Sequence, residues 1–194
     1  MKLLHLDASA LGSHSVSRGL TAAIVAELTR SQPGTEVVYH DLVAHPLPHW
    51  TPVSDASDPA AVLGAQMMDE FLAADVVVIG APMYNFSIPS QLKAWIDRIT
   101  VAGKSFRYGP NGPEGLAGGK RVIVASTRGG IYSEGSAAVS MDFQETYLRA
   151  LFGFLGVTDL EFVRAEGVAI SDDNKAESVK SAHASIGVVA RKAA

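Results

Sequence analysis

The chain has 194 residues, 47% of them hydrophobic and 19% charged, a balance that argues for one globular domain over 1–194 and against disorder. A net charge of −4, with basic residues scattered, gives no electrostatic case for binding nucleic acid or a membrane surface. The absence of cysteine excludes disulfides, thiolate catalysis and cysteine-ligated zinc or iron–sulfur centres, and fits a reducing compartment.

The segment Met1–Asp7 runs directly into a short buried strand, Leu3–Leu6. Its apolar part is too short for a signal-peptide core, and no apolar run reaches membrane-spanning length, so a soluble cytoplasmic protein is expected. A small-residue loop from Ala8 to Ser17 leads to a helix starting between Ser15 and Arg18, with Leu20, Ile24 and Leu28 on one face. Gln32-Pro33-Gly34 stops it, and Glu36–Tyr39 is a second strand. Leu42 to Pro59 holds four prolines and reads as an irregular excursion. A helix with Leu63, Met67, Met68, Phe71 and Leu72 precedes the strand Val76–Ile79. The next helix places Leu92, Trp95, Ile96 and Ile99 on a core face.

Residues 101–119 read as a long Gly/Pro-rich loop, and loops of that length in compact domains are usually functional. The strand Arg121–Ser126 follows. A helix from about Met141 to Leu155 carries Phe143, Tyr147, Leu148, Leu151 and Leu155. The strand Leu160–Val163 and a polar-faced helix from about Asp173 to Lys192 complete the chain. Five β–α alternations predict an α/β fold, a flavodoxin-like doubly wound five-stranded parallel sheet of order 2-1-3-4-5. Its ligand site should lie beyond the strand tips, at the switch point between strands one and three.

Three loops converge on that edge. The third strand, with four branched apolar residues in a row, ends at Gly80-Ala81-Pro82 and is followed by Met83-Tyr84-Asn85-Phe86, a cluster suited to a flat heteroaromatic ring. The loop after strand one has four serines ahead of a helix. It reads either as N-capping by Ser15 or Ser17, or as a phosphate site made of hydroxyls and helix-terminal N–H groups. It lacks the Walker ending and the dinucleotide glycine pattern, which points to a mononucleotide. In Thr127-Arg128-Gly129-Gly130 the paired glycines form a simple turn or let backbone approach a ligand. His40, His45 and His49 have no carboxylate–histidine ligand spacing and read as surface or loop residues, so no metal is expected. Trp95 reads as core, while Phe106 and Tyr108 are lid aromatics or interface packing. A receiver domain would need an aspartate where strand three ends in Gly80-Ala81-Pro82.

Together these residues resemble the FMN-dependent NADH-azoreductase family, flavodoxin-like quinone and azo-compound reductases. The resemblance covers nearly the whole chain. It is densest in Ala81–Phe86, Gln91-Leu92-Lys93, Phe106-Arg107-Tyr108, Asn111–Leu116 and Arg128-Gly129-Gly130. It implies that Ser9, Ser15, Val16 and Ser17 hold the FMN phosphate. Met83, Tyr84, Asn85 and Phe86 would line the isoalloxazine, with Asn85 at its polar edge, and Thr127, Arg128, Gly129 and Gly130 would contact the ring from the other loop. A serine is common in the family where this chain has Thr127, so a hydroxyl is kept.

The implied activity is two-electron transfer from NADH or NADPH through FMN to quinones, azo compounds or nitroaromatics, with no side chain acting as a catalytic acid–base pair. The implied assembly is a homodimer, with the 101–119 loop shaping the substrate pocket. Backbone amides at Gly129-Gly130 are the first candidates to stabilise anionic reduced flavin. Arg128 either adds to them or faces solvent. The competing readings are a non-enzymatic flavodoxin-type electron carrier and a flavin reductase using free FMN.

Overall fold

The computed structural model describes residues 1–52 and 55–191. The apolar runs become strands β1 (Lys2–Asp7), β2 (Glu36–Asp41), β3 (Val76–Pro82), β6 (Arg121–Thr127) and β7 (Asp159–Ala165), all parallel in the order β2-β1-β3-β6-β7. Each expected strand is present and longer than its apolar stretch. The expected order 2-1-3-4-5 needs restating, because two further strands, β4 (Phe106–Gly109) and β5 (Gly112–Gly115), precede β6 in the chain.

Residues 101–119 are therefore not simply a loop. β4 and β5 form an antiparallel hairpin, with Arg107 paired to Glu114 at 2.8 Å. Glycine and proline disguise it: Pro113 lies in a two-stranded sheet with no further neighbour to receive its missing N–H, and Gly112 (φ 107°) makes the turn. The hairpin is fastened to the body where two backbones cross. A Cβ on Gly115 would lie 2.1 Å from the Gly156 nitrogen. Gly115→Ala is thus expected to lower stability by about 3 kcal/mol or more, or on the order of 10 °C in Tm, because neither backbone can retreat cheaply. A thermal melt showing less than a 2–3 °C change, the shift expected from only ~1 kcal/mol, would contradict this crossing.

The sheet is covered on both faces because side chains alternate along each strand. Leu4, Leu6, Val77, Ile79, Val122 and Val124 join the cluster of α2 (Pro59–Ala73), α3 (Ser90–Ile99) and α4 (Glu145–Phe154). Leu3, Val76, Val78, Ile123 and Val163 join that of α1 (Val16–Ser31) and α5 (Asp172–Arg191). Trp95 is fully buried, edge-on to Phe71 at 5.7 Å. Among the described residues, no helix is long and apolar enough to cross a membrane.

Two helix expectations need comment. α4 starts at Glu145, not near Met141, because the Asp142 carboxylate accepts from the N–H groups of Gln144 and Glu145 (3.1 and 3.0 Å) and halts the helix there. Phe143, in register with the apolar period, lies outside it and is 58% exposed. Lys192, the expected end of the last helix, lies outside the described residues, as do Val53 and Ser54 of the proline-rich excursion.

Candidate active site

β3 stops pairing at Pro82, and Met83 donates its N–H to the Thr127 carbonyl at 2.7 Å, tying the tips of β3 and β6. Tyr84 and Ser87 then exchange two backbone hydrogen bonds, 2.9 and 3.1 Å, around Asn85 and Phe86. Both central residues are left-handed, with φ of 48° and 71°. Asparagine tolerates this conformation, but a phenylalanine there costs on the order of 1–3 kcal/mol. Surrounding contacts hold the strain: Phe143 N–H donates to the Phe86 carbonyl at 3.1 Å, and the Phe86 ring lies edge-on to Tyr132. Among the described residues, the N–H groups of Asn85 and Phe86 meet no acceptor.

The Tyr84 side chain leaves this turn and reaches the serine loop, accepting from the Ala10 N–H at 3.0 Å and lying 3.4 Å from Ser9 Oγ. Ser15 caps α1, accepting from the Arg18 N–H at 3.3 Å, and its hydroxyl sits 3.1 Å from that of Ser17. The capping reading is therefore realised, yet it leaves the first-turn N–H groups of Val16 and Ser17 without helical acceptors. Arg18 does not face the loop's open side. Its guanidinium holds the Ser9 carbonyl (2.9 and 3.2 Å) and the Asp41 carboxylate (2.7 and 2.8 Å), which it lowers to a pKa of about 2.

Beneath this loop lies Asp7, a residue without a sequence signal. It accepts from Thr21 and Tyr39 at 2.9 and 3.2 Å. Burial pushes its carboxyl up, but hydrogen bonding and charge from His5, Thr21 and Arg18 outweigh that and hold it below its usual value. Gly80 faces it: a Cβ there would lie 2.6 Å from Asp7 Oδ1. Only glycine lets β3 pass this carboxylate.

The third loop follows β6. The carbonyls of Arg128, Gly129 and Gly130 all accept from N–H groups of Val168, Ala169 and Gly167, at 3.1, 3.1 and 2.9 Å. With the oxygens engaged on one side, the N–H groups of Gly129 and Gly130 find no acceptor among the described residues. The paired glycines thus form a row of free donors rather than a plain turn.

The solvent-facing reading of Arg128 is wrong. Its side chain is 1% exposed and its guanidinium is ringed by Glu145 (2.6 Å), Glu166 (2.8 Å), Asp142 (2.9 Å), Gln144 (3.0 Å) and Ser126 (3.2 Å). For Glu145 and Glu166 burial pushes the carboxyl up, and hydrogen bonds and arginine charge bring it down below its usual value. Arg128 is a buried knot, and its N–H groups are turned to carboxylates rather than to the loop's open side.

Beside the Tyr84–Ser87 turn is a cleft of about 490 Å³ lined by Tyr84, Asn85, Ser87, Ser90, Lys93 and Tyr147 among others. Of the hairpin aromatics, Phe106 is buried 4.7 Å from the Phe154 ring, whereas Tyr108 is 76% exposed. His40 lies 2.5 Å from Glu70, joining β2 to α2. Among the described residues, no group of three potential ligands could hold a metal ion.

Comparison with known proteins bears directly on this geometry. A family model described as having the flavodoxin-like fold matches residues 1–188. An FMN-dependent NADH:quinone oxidoreductase from Sinorhizobium fredii is 58% identical over 197 residues, spanning 96% of this chain and 95% of its own. An azoreductase from Bacillus anthracis superposes with a TM-score of 0.90 at 30% identity, covering 99% of both chains. An FMN-dependent NADH-azoreductase of the same species, solved in complex with FMN, gives 0.89 at 25% identity, covering 98% of both.

Proposed function

This chain belongs to the flavodoxin-like family whose model matches residues 1–188, and from that premise we propose that it is an FMN-dependent NADH oxidoreductase reducing quinones and azo compounds. The observation that carries the reading is the pair of donor rows beyond the tips of β3 and β6: N–H groups of Asn85 and Phe86 on one loop, and of Gly129 and Gly130 on the other, that meet no acceptor among the described residues. Bound FMN would supply the two-electron redox chemistry, taking hydride from a nicotinamide and passing electrons to the acceptor.

Every other task falls to the chain. Ser9, Ser15, Ser17 and the N–H groups of Val16 and Ser17 would hold the phosphate at the start of α1, where the helix dipole favours an anion. Met83 and Phe86 would pack against the ring and exclude water, with Tyr84 anchoring the turn to the serine loop. Thr127 and the Arg128 backbone would close the other side. The Gly129 and Gly130 N–H groups are fixed before any charge develops, so stabilising negative charge on the ring would require little reorganisation. Arg128 contributes by holding this loop rather than by facing the ring. The electron-carrier reading is not favoured by the enzyme names of the relatives.

A homodimer is part of the same reading. Phe86, Tyr108, Leu116, Met141 and Phe143 are exposed apolar side chains on the turn, the hairpin and the segment before α4, a distribution that suits a subunit contact. A cytoplasmic location is part of the same reading, supported by a composition without cysteine, which suits a reducing compartment.

Two measurements test the proposal. Purified protein with FMN should turn over NADH with a benzoquinone and, in two reductive cycles, with an azo dye; no NADH oxidation above free FMN would overturn it. Asn85→Gly keeps the left-handed backbone and removes only the amide, so FMN affinity should fall about 5- to 10-fold, the ~1 kcal/mol scale of one hydrogen bond. An unchanged Kd by fluorescence quenching would take Asn85 out of the ring site.

A further inference from the structure

Gln144 has no sequence signal: it is one polar residue in what reads as an amphipathic helix. In the structure it is completely buried, just ahead of α4, and its amide spans the tips of two strands. Nε2 donates to the Ala81 carbonyl of β3 at 2.6 Å, while Oε1 accepts from Ser126 Oγ of β6 and from Arg128 Nε, both at 3.0 Å. Ala81 and Ser126 are direct register partners in the sheet. Just beyond this pair Met83 donates its N–H to the Thr127 carbonyl at 2.7 Å, and the two site loops begin there.

The residues on either side extend the bridge. Phe143 donates its N–H to the Phe86 carbonyl inside the strained turn, and Asp142 takes one arm of Arg128 while accepting from the Gln144 N–H. A single four-residue stretch, 142–145, thus touches β3, the Asn85–Phe86 turn, β6 and the 128–130 loop. We propose that Gln144 is a positioning residue of the flavin site, fixing the spacing between the Asn85–Phe86 donors and the Gly129–Gly130 donors. This rests on the functional reading above. The amide is suited to the task because at any pH it combines a donor for a carbonyl with an acceptor for a hydroxyl and a guanidinium. Displacing one donor row by about 1 Å would break contacts to a rigid ring that two rows must meet together.

The test compares Gln144→Met, which keeps length and volume but loses all three hydrogen bonds, with Leu28→Ala, a core truncation in α1 within the other apolar cluster. Apo-protein is titrated with FMN, and the midpoint potential of the bound flavin and Tm are measured alongside. The expected result is an FMN Kd raised about tenfold or more in Gln144→Met with a displaced potential, the scale of losing ~1.4 kcal/mol. Leu28→Ala should lose a similar amount of Tm and change neither. Wild-type Kd and potential in Gln144→Met would overturn the proposal.

Gln144→Glu supplies a second arm if the methionine variant does not fold. Its carboxylate still accepts from Ser126 and Arg128 but donates to Ala81 only when protonated, and it faces Asp142 and Glu145 as well as Arg128. Its Kd relative to wild type should therefore improve from pH 8 towards pH 5.5; a flat ratio would also overturn the assignment. If the wild-type chain bound no FMN, the functional reading itself would fail, a result distinct from either outcome.

Discussion

Replacing Arg128 by methionine is expected to destabilise the protein by about 3–5 kcal/mol, the typical effect of leaving buried charges without their partner. The guanidinium is fully enclosed, and Asp142, Glu145 and Glu166 all point at it within 2.6–2.9 Å. Removing it leaves three carboxylates around an apolar side chain, of which only Glu145 keeps a bidentate arginine, Arg164. Tm should fall on the order of 10 °C for a chain of this size. Lysine should rescue little of this, since a point charge cannot reproduce a fork that meets five side chains.

The pH dependence gives the effect a signature. In the wild type, Glu145 and Glu166 lie below the ordinary carboxyl value of 4.5, so their contribution is present above that pH and is lost as pH falls through the lowered folded values. In Arg128→Met the burial remains while this arginine's attraction is lost, so both carboxyls shift upward and their ionised forms are held less well, although Glu145 keeps Arg164 and Glu166 keeps the Tyr132 N–H. Protonation relieves that penalty. The gap in stability between wild type and variant should therefore narrow from pH 7 towards pH 5, measured by urea unfolding at each pH. A gap that stays constant or widens would contradict a carboxylate-driven loss.

Val16→Pro should weaken FMN binding about 10- to 100-fold while leaving stability within ~1 kcal/mol, because on the proposed reading it would delete one hydrogen bond to a charged phosphate and little else. Val16 is the first residue of α1, where proline is favoured and the missing N–H has no helical acceptor. The preceding residue, Ser15, is already extended (φ −79°, ψ 121°), as a pre-proline residue must be. The serine hydroxyls and the cap survive. Equal FMN affinity in variant and wild type, by equilibrium titration at one salt concentration, would remove the start of α1 from the phosphate site.

What the sequence reveals of this molecule follows from the range of the forces involved. β3 is legible because Val76–Ile79 is buried on both faces, and α3 because its apolar residues repeat at helical spacing. The site loops are legible as places, since the switch-point rule locates them once the strands are known. Their internal structure is not. Nothing in Asn85-Phe86 announces two left-handed residues, because a turn of that shape usually needs glycine and here contacts from Phe143 and Tyr132 enforce it. The burial of Arg128 is not legible because its carboxylate partners lie 14 to 38 residues away. Gln144 and Asp7 are ordinary residues until the fold brings strand tips against them. The β4–β5 hairpin hid behind the glycines and prolines that shape it.

On the proposed reading, two rows of backbone donors beyond β3 and β6 hold an FMN, and NADH reduces it directly. This reading is tested most directly by mixing the FMN-loaded protein with one equivalent of NADH under anaerobic conditions and following flavin absorbance in a stopped-flow instrument. The expected result is rapid, stoichiometric bleaching of the bound flavin, followed by full recovery of the yellow spectrum when one equivalent of a quinone is added. A flavin that stays oxidised for minutes in NADH, yet accepts electrons from dithionite, would mark an electron carrier and rule out direct reduction by NADH.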